Sequence, residues 1–190
     1  MKQEKLGNKA AVKGTMLKAH LSWAREYVGE NLSSLRPHLD QESFTYVITP
    51  VLSMSWVPFH CLIKIDWAIA NVIGGQPERV FRELGRRSAS LNLGGIYKYF
   101  ISDEPHRFFD QMTVHNAFQN FGQPVYERVG ERSGRVRLGQ YSEYSPAFCI
   151  SGAGFYEEAL RIMKAPGPVA VTETSCQCAG DEVCCFDLKW

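Results

Sequence analysis

Through the first two thirds of the chain apolar residues recur at helical spacing. Lys13 to Val28 carries Met16-Leu17, His20-Leu21, Ala24 and Tyr27-Val28, with Gly29 as a stop. A short helix is expected over Asn31 to Leu39. Thr45 to Leu52 reads two ways: its β-branched residues favour a strand, and Pro50 interrupts one. Trp56 to Ile73 is the strongest helical pattern, with Trp56, Phe59, His60, Ile63, Trp67 and Ala70 assigned to one face and Gly74-Gly75 closing it. Pro77 opens the next helix on Val80, Phe81 and Leu84; its Arg79, Arg82 and Arg86 form a basic stripe expected to face solvent. Gly94 to Phe100 is short and aromatic. Pro105 to Phe121 predicts a further helix, with Phe108, Met112, His115 and Phe118 on one side.

The period then changes to two. Val125 to Val129 and Gly134 to Gln140 alternate about Gly130 and Ser133-Gly134, a β-hairpin with Arg135 and Arg137 on one face. Ser145-Pro146 opens the last helix, lined by Phe148, Gly152, Phe155, Ala159 and Met163 and ended by Pro166-Gly167. Gly152 and Gly154 each cost about 1 kcal/mol against Ala inside a helix, which implies close approach to a strand, a ligand or another helix. Two apolar β-like runs, Pro168 to Thr172 and Phe186 to Trp190, flank a turn at Gly180-Asp181. The pattern predicts an α+β fold with helices packed on an antiparallel sheet. Residues 1–12 are polar and expected to be flexible, and 13–190 to form one domain.

At 190 residues with 45% apolar and 22% charged residues, the composition is that of a globular domain. A net charge of +1 gives no drive toward nucleic acid or a membrane surface. No apolar run is long enough to span a bilayer, and no leader pattern follows Met1, so a cytoplasmic location is expected. Gly74-Gly75 and Gly94-Gly95 lack the spacing of phosphate or dinucleotide loops, and no Gly-x-Ser-x-Gly elbow occurs. Glu157-Glu158 is expected on a helix surface. Without a catalytic constellation, a binding role is favoured over an enzymatic one.

The chemistry concentrates near the C-terminus, where Cys176, Cys178, Cys184 and Cys185, four of the six cysteines, fall within ten residues. In a reducing compartment such clusters are metal ligands or redox groups. Glu173 and Cys176 would point to opposite faces of a regular strand, so sharing an ion requires the chain to turn at Thr174-Ser175. A three-residue loop sets Cys176 opposite Cys184, and a two-residue loop sets it opposite Cys185; the register stays open. Cys149 sits in the first turn of the last helix, where the dipole favours a thiolate. Small core cysteines, or a redox pair of Cys178 with Cys185, are the competing readings.

The pattern Cys149…Glu173-x-x-Cys176-x(7)-Cys184, with Gly180-Asp181 inside the loop and Phe186 after it, resembles the 4-vinyl-reductase-type domain. Its relatives include bacterial sensor domains that respond to phenol and xylene, and the TRAPP tethering subunits share the wider fold. The resemblance implies a structural zinc held by Cys149, Glu173, Cys176 and Cys184, clamping residues 145–190. It also implies a small hydrophobic or aromatic ligand, a partner protein and a homodimer. Trp56, His60, His115 and Phe155 are the residues expected at that ligand. Ile150 to Phe155 departs from the family by lacking the tyrosine of the phenol pocket. Lys13-Gly14-Thr15 before an amphipathic helix is similar to the start of haem-NO-binding domains. Haem is nevertheless not expected, because no Tyr-x-Ser-x-Arg propionate pattern occurs. The expected function is a zinc-stapled sensor or adaptor. The alternatives are a vinyl reductase of tetrapyrrole metabolism, or its accessory, and a pure interaction scaffold.

Overall fold

The computed structural model describes residues 9–95, 97–111 and 118–190. Strand β1 (Ala11–Lys13) leads directly into helix α1 (Gly14–Val28). Ala10, Ala11 and Val12 are buried, which corrects the expectation of a flexible end there. They are held because β1 pairs antiparallel with β2 (Trp56–Pro58) and because Asn120 accepts the Ala11 N–H at 2.7 Å. A 3-10 turn over Leu32–His38 replaces the helix expected there, and Asn31 caps it. Of the ambiguous stretch, 45–48 form the end of helix α2 (Gln41–Ile48), neither of the two readings, and 49–52 lie in no helix or strand. The N-cap of α2 is Asp40, whose carboxylate accepts from Ser43 N at 2.8 Å.

Helix α3 (Phe59–Ile73) starts three residues later than expected, since Trp56 belongs to β2. Its buried face is also rotated from the expected one. Phe59, Cys61, Leu62, Ile65, Asp66 and Ile69 are inside, whereas His60 and Trp67 are exposed. The charged Asp66 turns inward because it has a partner: His20 Nδ1 of α1 lies 2.7 Å from its Oδ1, and both side chains are wholly buried. Burial raises the Asp66 pKa, and the neighbouring His20 opposes that rise.

Helix α4 (Pro77–Gly94) crosses α6 (Pro146–Ile162) at close range. A Cβ at Gly85 would stand 1.8 Å from Ser151 O, and one at Gly154 would stand 2.0 Å from Arg82 O. Each helix therefore presents a glycine to the other's backbone. The same crossing overturns the solvated reading of Arg82 and Arg86. Both guanidiniums fork onto Glu157, whose side chain is 8% exposed, and Arg82 also donates to Val171 O at 2.8 Å. Glu157 is thus an interior anchor rather than helix surface.

Helix α5 (Pro105–Asp110) covers the start of the helix expected to reach Phe121; Met112 and His115 lie outside the described residues. Strands β3 (Gln123–Gly130), β4 (Ser133–Gly139), β5 (Ala170–Ser175) and β6 (Cys184–Lys189) make one antiparallel sheet in the order β3-β4-β6-β5. One apolar cluster lies among α1, α3 and α4. A second lies between α6 and the sheet, and Met16 and Tyr141 pack against both. The α+β expectation is met. Among the described residues no helix is long and apolar enough to cross a membrane.

Candidate functional site

The β5–β6 connection brings the C-terminal chemistry together. Glu173 pairs with Phe186 and Ser175 with Cys185, so Thr174 is an extra residue on β5, a β-bulge. That bulge supplies the turn needed to swing Glu173 and Cys176 to one side. Beyond Ser175 the chain leaves the ladder in a 3-10 turn over Gln177–Ala179, and Gly180 takes φ +99°. The loop is longer than a tight hairpin and is braced by Asp181, which accepts the Cys176 N–H at 2.7 Å. The register leaves Cys176 at the level of Cys184, the first of the two arrangements open from sequence. Cys185, the next residue along β6, turns to the opposite face.

Cys149 reaches the loop from the first turn of α6. Its Sγ lies 3.6 Å from Cys184 Sγ and 3.8 Å from Cys176 Sγ. With a Glu173 carboxylate oxygen, the donor atoms of Cys149, Cys176 and Cys184 all lie within 4.8 Å of one another. Glu173 Oε1 is buried without a hydrogen-bond partner. No disulfide joins the described cysteines, so Cys178 and Cys185 are separate thiols. Three thiols and a carboxylate cannot all ionise here unaided. Cys184 is the thiol that gives up its proton most readily: the Cys149 thiol, the Gln177 N–H at 3.3 Å and the Cys176 thiol hold its pKa down to about 7 against burial. Cys176 is pushed up to about 12 by burial and by Glu173. The Cys149 thiol is driven far up by its hydrogen bond to Cys184 and by burial, which overrides the helix dipole expected to lower it.

Next to this cluster is an apolar cavity of about 70 Å³ between α4, α5, α6 and the sheet. Phe108, Phe118, Phe148 and Phe155 supply aromatic walls, Tyr141 and Tyr156 bring hydroxyls, and Cys149 is shared with the thiol cluster. Gly152 opens the cavity, since a Cβ there would meet nothing within 4 Å. Gly152→Leu is therefore expected to fill the space while leaving the far-ultraviolet circular dichroism unchanged. Xenon NMR checks this: the cavity signal of the wild type should vanish in the variant.

Of the residues expected at a ligand, Phe155 lines the cavity. Trp56 lies elsewhere, under the Lys13 ammonium at 3.7 Å, and His60 faces solvent beside Glu42. His115 lies outside the described residues. The four expected metal ligands do converge. Gly152, marked in the sequence as a point of close approach, lines the cavity, whereas Tyr141 and Tyr156 are cavity residues that the sequence pattern did not single out. The spacing of aromatic residues gave no signal that Tyr141, in the connection after β4, would reach the α6 face.

No protein-family model matches the chain, and no curated protein matches it. Solved structures do. An oxygen-binding H-NOX domain related to soluble guanylate cyclases, solved as its oxygen complex, aligns with TM-score 0.68 at 14% identity over 93% of this chain and 94% of that one. A structure from a study of heme distortion in the H-NOX family gives 0.70 at 14% over 94% of each chain. An H-NOX protein from S. oneidensis in the Fe(II)NO ligation state gives 0.69 at 11% over 93% of this chain and 98% of that one. The fold is therefore that of H-NOX domains.

This overturns the expectation against haem, because the shared fold is one whose solved examples are named for haem distortion, bound oxygen and Fe(II)NO. The cavity walls meet such a group in chemical character: aromatic rings for a macrocycle face, and Met16, Tyr141 and Tyr156 with atoms of kinds that ligate haem iron. The volume does not match. Ligand pockets run to about 300–1,000 Å³, so a porphyrin does not fit the cavity in this conformation without displacement of the aromatic wall.

Proposed function

We propose that the chain is a small-molecule-sensing domain whose cavity is stapled by a zinc ion held by Cys149, Glu173, Cys176 and Cys184. The thiol spacing carries this reading. Two thiolates on one tetrahedral zinc, each at about 2.3 Å, stand about 3.8 Å apart. The two sulfur–sulfur distances here are 3.6 and 3.8 Å. Thiols bound to one another as a disulfide would stand about 2.05 Å apart. The orphaned Glu173 oxygen supports a fourth ligand, and the ligand pattern supports kinship with the 4-vinyl-reductase-type sensors. Four protein ligands close the coordination sphere, so the ion is structural and holds no activated water.

The clamp ties the first turn of α6 to the β5–β6 loop. Cys149 belongs to both clamp and cavity wall, so an occupant that shifts α6 also strains the clamp. A small apolar or aromatic molecule is the class of ligand the walls accept, and output passes to a partner protein or a second copy of the chain.

Elemental analysis and a visible spectrum of protein purified without added metal test this reading. Zinc at about one clamp ion per chain is expected. A Soret band would identify the cavity occupant as haem, with the wall opened. Protein free of zinc, its thiols titrating normally, would overturn the clamp.

A further inference from the structure

A second set of metal donors stands where α2 meets α3. Asp40, the α2 cap, pairs with Lys64 of α3 and fixes the start of one helix against the other. This sets Glu42, in the first turn of α2, beside His60 and Cys61 in the first turn of α3. His60 Nε2 lies 3.3 Å from Glu42 Oε2 and 3.3 Å from Cys61 Sγ. All three donor atoms lie within 4.8 Å of one another.

The arrangement is not that of a Cys–His–carboxylate relay. A relay needs the imidazole to meet its acid through one ring nitrogen and its nucleophile through the other. Here the same Nε2 faces both. That nitrogen holds at most one proton in its ring plane, so it can donate to Glu42 or accept from Cys61, but not satisfy both. A cation at the point the three atoms share satisfies them together. Nitrogen, sulfur and oxygen ligands at about 2.0–2.3 Å from one tetrahedral ion stand roughly 3.3–3.5 Å apart, and the two distances from His60 Nε2 are both 3.3 Å. The burial is graded in a matching way. Cys61 is fully buried beneath, while the His60 and Glu42 side chains are 43% and 61% exposed above.

We infer that Glu42, His60 and Cys61 form a second metal site for a borderline divalent transition ion such as Zn²⁺. Three protein ligands leave an outer coordination position open to water or a small anion, unlike the closed clamp. The mixed imidazole, thiolate and carboxylate set disfavours Mg²⁺ and Ca²⁺, which take oxygen ligands.

Titrating the metal-stripped full chain with Co²⁺ tests the site, because a cobalt–thiolate bond gives a near-ultraviolet charge-transfer band that an imidazole or carboxylate contact does not. The expected result is a charge-transfer-active equivalent that is lost in His60→Ala and in Cys61→Ser and retained in Cys184→Ser. His60 is exposed, so its loss leaves folding intact and serves if Cys61→Ser misfolds. A wild type that takes up no more charge-transfer-active equivalents than His60→Ala and Cys61→Ser do, or charge transfer abolished altogether by Cys184→Ser alone, would overturn the second site. Failure of the clamp instead removes only the equivalent that depends on Cys184, so the two readings fail separately.

Discussion

Cys184→Ser is expected to lose the clamp metal and to destabilise the protein by about 4 kcal/mol, the range in which loss of a structural metal falls. At about 2–4 °C per kcal/mol for a domain of this size, the melting temperature should drop by roughly 10 °C. The reason is specific to this residue. Cys184 is the thiol that the Cys149 and Cys176 thiols and the Gln177 N–H prepare for ionisation, and a serine hydroxyl at the same place stays protonated and binds zinc poorly. Cys185→Ser is the control, since the next residue of β6 faces the other way. It should keep its metal and most of its stability. Treating a His60→Ala chain, which keeps only the clamp, with a chelator should bring its melting temperature down toward that of the chain carrying both His60→Ala and Cys184→Ser, while the double variant should not respond. Calorimetry with parallel metal analysis reads all three.

The second large effect is expected at Glu157. Glu157→Ala leaves the Arg82 and Arg86 guanidiniums facing each other without their shared carboxylate at the α4–α6 crossing. Removing one partner of a buried ionic group costs about 3–5 kcal/mol. Arg82 and Arg86 keep 34% and 29% of their side chains exposed, so about 3 kcal/mol is expected. The pair also sets an acid limit. Burial, the largest single influence, pushes the Glu157 pKa up, but the hydrogen bonds and charges of Arg82 and Arg86 together outweigh it and hold it below the ordinary 4.5. A group whose folded pKa is depressed stabilises above its unfolded pKa, and that contribution fades as pH falls through the folded value. Wild-type stability should therefore decline below about pH 4.5, and Glu157→Gln should be less stable at neutral pH with a flatter acid limb. Urea unfolding across this range measures both.

The fold class was legible because period and punctuation agreed over most of the chain. Gly29, Gly74 and Pro146 mark real helix ends, and the change to period two marks the sheet. What misled was pairing between elements far apart in sequence. The His20–Asp66 contact turned the charged Asp66 inward and with it the buried face of α3, and Glu157 drew Arg82 and Arg86 out of solvent. A polar residue reads as exposed until its partner is known, and the partner here is 46 or more positions away. β1 was missed because three residues are too few to show a period, and its partner β2 lay hidden at the start of the strongest helical pattern. The convergence of the four expected metal ligands was legible as a set, yet the bulge at Thr174 that brings Glu173 to Cys176 was only a requirement, without a local signal. His60 was noticed for the wrong surroundings: it faces Glu42 and Cys61 at the surface rather than an interior ligand. The likeness of the Lys13-Gly14-Thr15 start to haem-NO-binding domains was legible and agrees with the fold of the solved structures, whereas the missing Tyr-x-Ser-x-Arg pattern turned the reading away from haem.

Zinc-edge X-ray absorption on the His60→Ala chain, which isolates the clamp, tests the central claim most directly. About three sulfur neighbours at about 2.3 Å and one oxygen at about 2.0–2.2 Å are expected around the zinc. A shell of nitrogen and oxygen alone, or protein that retains no zinc to absorb, would contradict it.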